Sequence, residues 1–272
     1  MIRTSGHRAI LLLAGALALG LSTSPVAAGK GKKHEIRCSC RDVDPDDFTC
    51  RVDNKYFPLK PGTTYDYESS SGETEEVYVT CDTKEILGVT CVVVHDVVYD
   101  EDGEWIEDTY DWYAQDKCGN VWYFGEDSTE RDPETGETDT EGSWEAGVDG
   151  AEPGIIMLAC PHKGDTYREE YYEGEAEDMA KVKSLHASAS VEYGTFHHVL
   201  LTLNFTALEP DVLEKKYYAK GVGLVLEEEV KGGDDVNELV AVTYEDCGGD
   251  DCWDDGSSCG DGDEWDGDSC SD

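Results

Sequence analysis

The chain has 272 residues, 31% of them charged, and sets 62 Asp and Glu against 21 Lys and Arg, for a formal net charge of −41. Such an excess repels phosphate backbones and anionic lipid surfaces, so nucleic-acid binding is excluded and cations, basic ligands or a saline solvent are the favoured surroundings. The eleven cysteines include no C-x-x-C spacing, which argues against a thioredoxin-like redox site and against zinc ribbons.

In chain order, residues 1–28 read as a secretory signal peptide. Arg3 and Arg8 form the positive region, residues 10–21 the apolar stretch, and Val26-Ala27-Ala28 the small-residue cleavage point. The apolar stretch is short for a bilayer span. The expected product is exported, whether secreted, periplasmic or at the cell surface, and has no membrane span. Loss of Arg3 and Arg8 moves its charge from −41 to −43. In an oxidising compartment the cysteines are expected to be disulfide partners, and an odd count leaves at least one free thiol or an intermolecular bridge. Cys81 is the nearest partner along the chain for Cys91.

Residues 29–53 form an acidic, cysteine-bearing lead. Asp42, Asp44, Asp46 and Asp53 occupy positions 1, 3, 5 and 12 of a twelve-residue frame, the order in which an EF-type loop wraps calcium with oxygen ligands. Asp47 stands where the turn glycine belongs, Asp53 replaces the longer Glu, and no flanking helix is evident. A solvated acidic loop tied by its cysteines is the competing reading. His34, Cys38, Cys40 and Cys50 offer a tetrahedral soft-metal set, against which export favours disulfides.

Residues 54–243 are rich in Tyr, Val, Thr and Trp and long enough for one substantial core. Strands are expected at 75–81, 89–99, 107–115, 120–126, 198–208, 213–220, 222–230 and 237–244, where β-branched and aromatic residues concentrate. Asp102-Gly103, Lys117-Cys118-Gly119-Asn120 and Gly232-Gly233 supply turns between them. Residues 127–143 read as an exposed hairpin or mobile loop. Residues 174–188 are either the best helix candidate or a polar edge strand. The fold class is therefore all-β, a long antiparallel meander curled into a sheet, half-barrel or barrel.

The blocks DNKYFPLKPGTTYDYE (53–68), DWYAQDKCGNVWYFGE (111–126), GSWEAGVDGAEPGIIM (142–157) and YYAKGVGLVLEE (217–228) resemble recurrent motifs of an uncharacterised family of exported bacterial all-β domains. The Tyr-Ala-x-Gly-Val-Gly-Leu-Val block is also similar to strands of lipoprotein-carrier-like curved sheets. What the resemblance implies is an exported all-β domain with no catalytic residue to carry over.

Residues 244–272 are an acidic tail with Cys247, Cys252, Cys259 and Cys270. Asp261 and Asp263, and Asp266 and Asp268, are paired carboxylates able to share a cation, while the cysteines can close small loops. Elsewhere, Cys91 and His95 share a strand face by period two, and His197 and His198 fall on opposite faces of a regular strand. No catalytic motif of the G-x-S-x-G, H-E-x-x-H or P-loop type occurs, and Cys160-Pro161-His162 becomes a catalytic couple only if the fold brings thiol and imidazole together.

The functional expectation is non-catalytic binding or surface structure, with calcium or another divalent cation on the acidic loops. The alternative is a small apolar ligand carried inside an aromatic-lined half-barrel, and an exported enzyme stands third.

Overall fold

Alternation of buried and exposed positions from Thr63 to Ser69, and the two-sided apolar run around Val92-Val93-Val94, suit strands that wall an interior. The computed structural model describes residues 43–248. The signal segment, Asp42, and the tail acids Asp261, Asp263, Asp266 and Asp268 lie outside the described residues.

Thirteen strands form one antiparallel path: β1 Thr63–Ser69, β2 Thr74–Ile86, β3 Val89–Tyr99, β4 Trp105–Asp116, β5 Val121–Arg131, β6 Glu152–Met157, β7 Thr166–Arg168, β8 Glu170–Tyr171, β9 Asp178–Val191, β10 Gly194–Thr206, β11 Leu213–Ala219, β12 Gly223–Lys231 and β13 Val236–Tyr244. Their order in the sheet is β7-β9-β10-β11-β12-β13-β1-β2-β3-β4-β5-β6-β8. The first strand thus lies against the last, with Tyr67 opposite Leu239. The two ends of the path, β7 and β8, are separated along the chain by Glu169 alone. The sheet is an antiparallel meander nearly closed into a barrel.

That seam needs a glycine. A Cβ on Gly154 would lie 2.3 Å from the Glu169 carbonyl group, so only a bare backbone lets β6 approach the crossing segment.

One apolar cluster fills one end of the interior. It includes Val79, Val94, Val121, Met157, Val182, Leu200, Val225 and Leu239, each at most 2% exposed. Val52, Tyr56 and Leu59 join it from a short hairpin that pairs Asp53–Asn54 with Phe57–Pro58. A second cluster lies around Ile86, Cys91, Val93, Trp112, Trp122 and Phe124. Phe48, in a short strand paired with β4, packs edge-on against Trp122 and Phe124 at 6.1 and 5.6 Å.

Cys81 is bonded to Cys247, fixing the end of the barrel wall to the chain that follows β13. Cys50, Cys118 and Cys160 are also disulfide-bonded. Pairing of Cys81 with Cys91 is therefore corrected: Cys91 is free and buried, and burial pushes its thiol up to about 12. Sequence neighbours failed as partners because β2 is bulged between Val79 and Thr83, which leaves Cys81 exposed while Cys91 faces the second cluster. The 174–188 segment is strand rather than helix from Asp178 onward: β9 pairs with β10 along its length, while β7 pairs only with Met179–Lys181 on its other side, which leaves the rest of it as an edge. Residues 127–143 form a hairpin, with Thr138–Asp139 returning against Glu130 and Arg131.

Candidate functional site: an acid-lined barrel end

Strand register places carboxylates in rungs on the inward face of β1–β5. Tyr67, Glu75, Val98, Glu107 and Glu130 are successive cross-strand partners. The next rung holds Val77, Asp96, Thr109 and Ser128, and the third holds Val79, Val94, Asp111 and Glu126. Fully buried Val79 and Val94 stand in the third rung, so these acids share the face that carries the interior apolar cluster. On the opposite wall, Thr202, Lys216, Glu227 and Asn237 form one rung, and Asn204, Glu214 and Glu229 another. The barrel is therefore apolar toward one end and acidic toward the other.

The acidic wall is held largely by neutral donors among the described residues. Tyr123 donates to Asp111 at 2.5 Å and lies 3.0 Å from Glu126. Tyr113 stacks on Tyr123 with ring centroids 4.8 Å apart. Trp144 donates its indole N–H to Glu170 at 3.2 Å, and Asn204 donates to the buried carboxylate of Glu169 at 2.7 Å. Asn237 donates to Glu75. Two oxygens in this region, Asp96 Oδ1 and Asn237 Oδ1, are buried and accept no hydrogen bond. Leaving such acceptors unsatisfied is costly.

Burial, with mutual repulsion, displaces the acids' proton affinities. Asp111 is pushed up to about 7 by burial and by Glu107, against the Tyr123 hydrogen bond that lowers it. Glu126 rises to about 8 through burial and the Asp111 charge. Glu169 also rises to about 8 through burial, although Lys216 opposes the shift. Asp96 and Glu170 are raised by burial first, then by Glu75 and by Asp178 respectively. Burial disfavours charge on Lys216, but Glu227 at 3.4 Å and Glu214 at 3.8 Å outweigh it and hold the ammonium protonated.

The loop acids expected from sequence behave differently. Asp44 caps a one-turn 3-10 helix, Pro45–Asp47, by accepting from the Asp46 N–H at 3.1 Å. Asp53 accepts from the Gln115 side-chain amide at 2.6 Å. Their carboxylates thus serve the local chain, and among the described residues no three His, Cys, Asp or Glu side chains converge as a metal site. Cys160 is in a disulfide, so it offers no thiolate to His162. Cys91 is buried, whereas His95 stacks on Tyr110 and pairs with Asp108 at 2.9 Å.

Sequence alone does not single out the interior acids, because carboxylates are everywhere in this chain. Among the described residues, no helix is long and apolar enough to cross a membrane.

No protein-family model matches the sequence, and no curated protein does either. Two solved structures align with it. A protein described as exported, with a YmcC-like fold, from Bacteroides fragilis is 13% identical, covers 72% of this chain and 100% of its own, and gives a TM-score of 0.42. A protein described as a lipoprotein from Parabacteroides distasonis is 11% identical, covers 70% of this chain and 99% of its own, and gives 0.41.

Proposed function

We propose that this chain is an exported, non-catalytic binding protein whose acid-lined barrel end takes a cationic ligand. The observation that carries the reading is the set of inward carboxylates on β2–β5, facing one another with Lys216 placed on the opposite wall. The unsatisfied oxygens of Asp96 and Asn237 supply acceptors that a ligand's N–H groups would fill. The disulfides suit an oxidising compartment.

Dispersed acids fit an extended organic cation, such as a linear polyamine, better than one bare metal ion, which needs oxygens gathered at about 2.3–2.6 Å. The apolar-carrier reading fares less well, because the protein's own Val79, Met157, Leu200 and Leu239 already fill the apolar end. Binding of calcium at Asp42, Asp44, Asp46 and Asp53 stays a separate proposal for the N-terminal loop.

Raised carboxyl groups make the test specific. Ligand ammonium groups replace protons, so spermine binding must release protons near neutral pH. Calorimetry in two buffers of different ionisation enthalpy should show release of at least one proton per spermine, lost in Asp111→Asn/Glu126→Gln. Spermine heats unchanged by that double substitution would sink the proposal. A chelator-sensitive melting shift with calcium alone would move the function to the loop.

A further inference from the structure

The geometry points to a second, independent site: a two-histidine transition-metal site on the outer face of β9 and β10, formed by His186 and His198 and suited to zinc. The ladder between these strands shifts register once between Val182 and Ser184 and twice more where the histidines lie. Ser184 pairs with Leu201 and Ala187 with Val199, so Leu185 and His186 oppose Leu200 alone. Ala187 then pairs with Val199 but Ser188 with His197, so His198 is the extra residue of a β-bulge. A bulge re-aims the side chain it carries.

His198 also has φ +57°, a left-handed conformation that bulges normally assign to glycine. Together the two irregularities break the alternation that would have turned His198 away from the outer face, and the Nδ1 atoms of His186 and His198 come within 3.4 Å. Two nitrogens bound to one zinc at about 2.0–2.1 Å and a tetrahedral angle stand about 3.4 Å apart. The rings are near perpendicular, at 88°, and both residues are exposed, so an ion has access and two coordination positions stay open for water or an exogenous ligand. His197 is exposed as well, but its Nδ1 faces the Ser188 hydroxyl at 3.2 Å. It is the internal control.

The test uses tag-free, disulfide-intact protein in excess magnesium, which occupies carboxylates but competes poorly for imidazole. Zinc titration should find one site, weakened at least tenfold in His186→Asn and in His198→Asn and unchanged in His197→Asn. Cobalt in place of zinc should give the visible absorption of a nitrogen-ligated ion, lost in the same two variants. Both side chains are exposed, so these substitutions leave the core untouched. The inference is overturned by absence of zinc uptake, by uptake indifferent to both substitutions, or by equal weakening in His197→Asn. Asp111→Asn/Glu126→Gln, which targets the acidic interior, should leave zinc binding intact.

Discussion

The two ends of the barrel interior are built on the same strands, yet oppose each other chemically. Along β3, Val92 and Val94 point into a filled apolar space, and Asp96, two residues further on the same face, meets Glu75 and Asp111. Along β10 the sequence passes from Leu200 through Thr202 to Asn204 in the same manner. One end stabilises the fold by excluding water, whereas the other retains groups that oppose it. That cost at one end is the feature on which the proposed ligand reading rests.

The largest effect should come from the apolar end. Leu200→Ala deletes a side chain at 0% exposure and should cost about 3 kcal/mol, lowering the melting temperature by about 10 °C. Chemical denaturation with unchanged m-value checks it. A small loss would mean that the apolar end is loosely packed, erasing the contrast.

Lys216 tests the boundary between ends. Lys216→Met leaves Glu227, itself 7% exposed, without its ammonium partner, and should cost about 2 kcal/mol at neutral pH. The loss should shrink in acid, where carboxylates take up protons. A pH-independent loss would assign Lys216 a packing role only.

Acidity itself should set the shape of the stability curve. Asp111, Glu126 and Glu169 hold protons in the folded state up to about pH 7, 8 and 8. Unfolded, such groups release them near pH 4. Folding therefore takes up protons between those limits, and stability falls as pH rises through the window, then levels off above it. Melting temperature should therefore drop by at least several degrees from pH 5 to pH 8. Spermine should flatten this slope. A melting temperature that rises across the window would show that the acids are not held protonated.

Much of the wall was legible from residue types. The Val-rich run 89–99 has the bounds of β3, and Gly103, Gly119 and Gly232 sit at turns with positive φ, which glycine adopts without strain. Closure was less legible, since it depends on Glu169 crossing between two short strands and on Gly154 letting it pass. The acids of the interior were invisible for a different reason. Asp66, which pairs across strands with Glu76, and Asp111, which faces the interior, are the same residue type on equally convincing strands; only the register of neighbouring strands separates them. The Asp42–Asp53 frame, conversely, is conspicuous in sequence because its acids lie close together along the chain, where Asp44 accepts from the Asp46 N–H and Asp53 from Gln115. His186 and His198 are twelve residues apart, and two bulges, which no periodicity announces, join them.

The smallest effect should fall where the two ends touch. Tyr123 belongs to the aromatic packing through Tyr113 and Trp144, and its hydroxyl reaches the acids Asp111 and Glu126. Tyr123→Phe keeps the ring and removes one charge-assisted hydrogen bond, for a loss of about 1 kcal/mol. That bond lowers the proton affinity of both carboxyl groups, so its removal must raise them further. The loss should consequently be greatest above the window, where both acids are forced to ionise, and smallest at its acidic edge, where protonated carboxyl groups no longer need the donor. Proton release on spermine binding should increase in the same variant, because more protons are present to displace. Opposite signs in these two measurements, lower stability with greater proton release, distinguish a hydroxyl that tunes the acids from one that merely fills space.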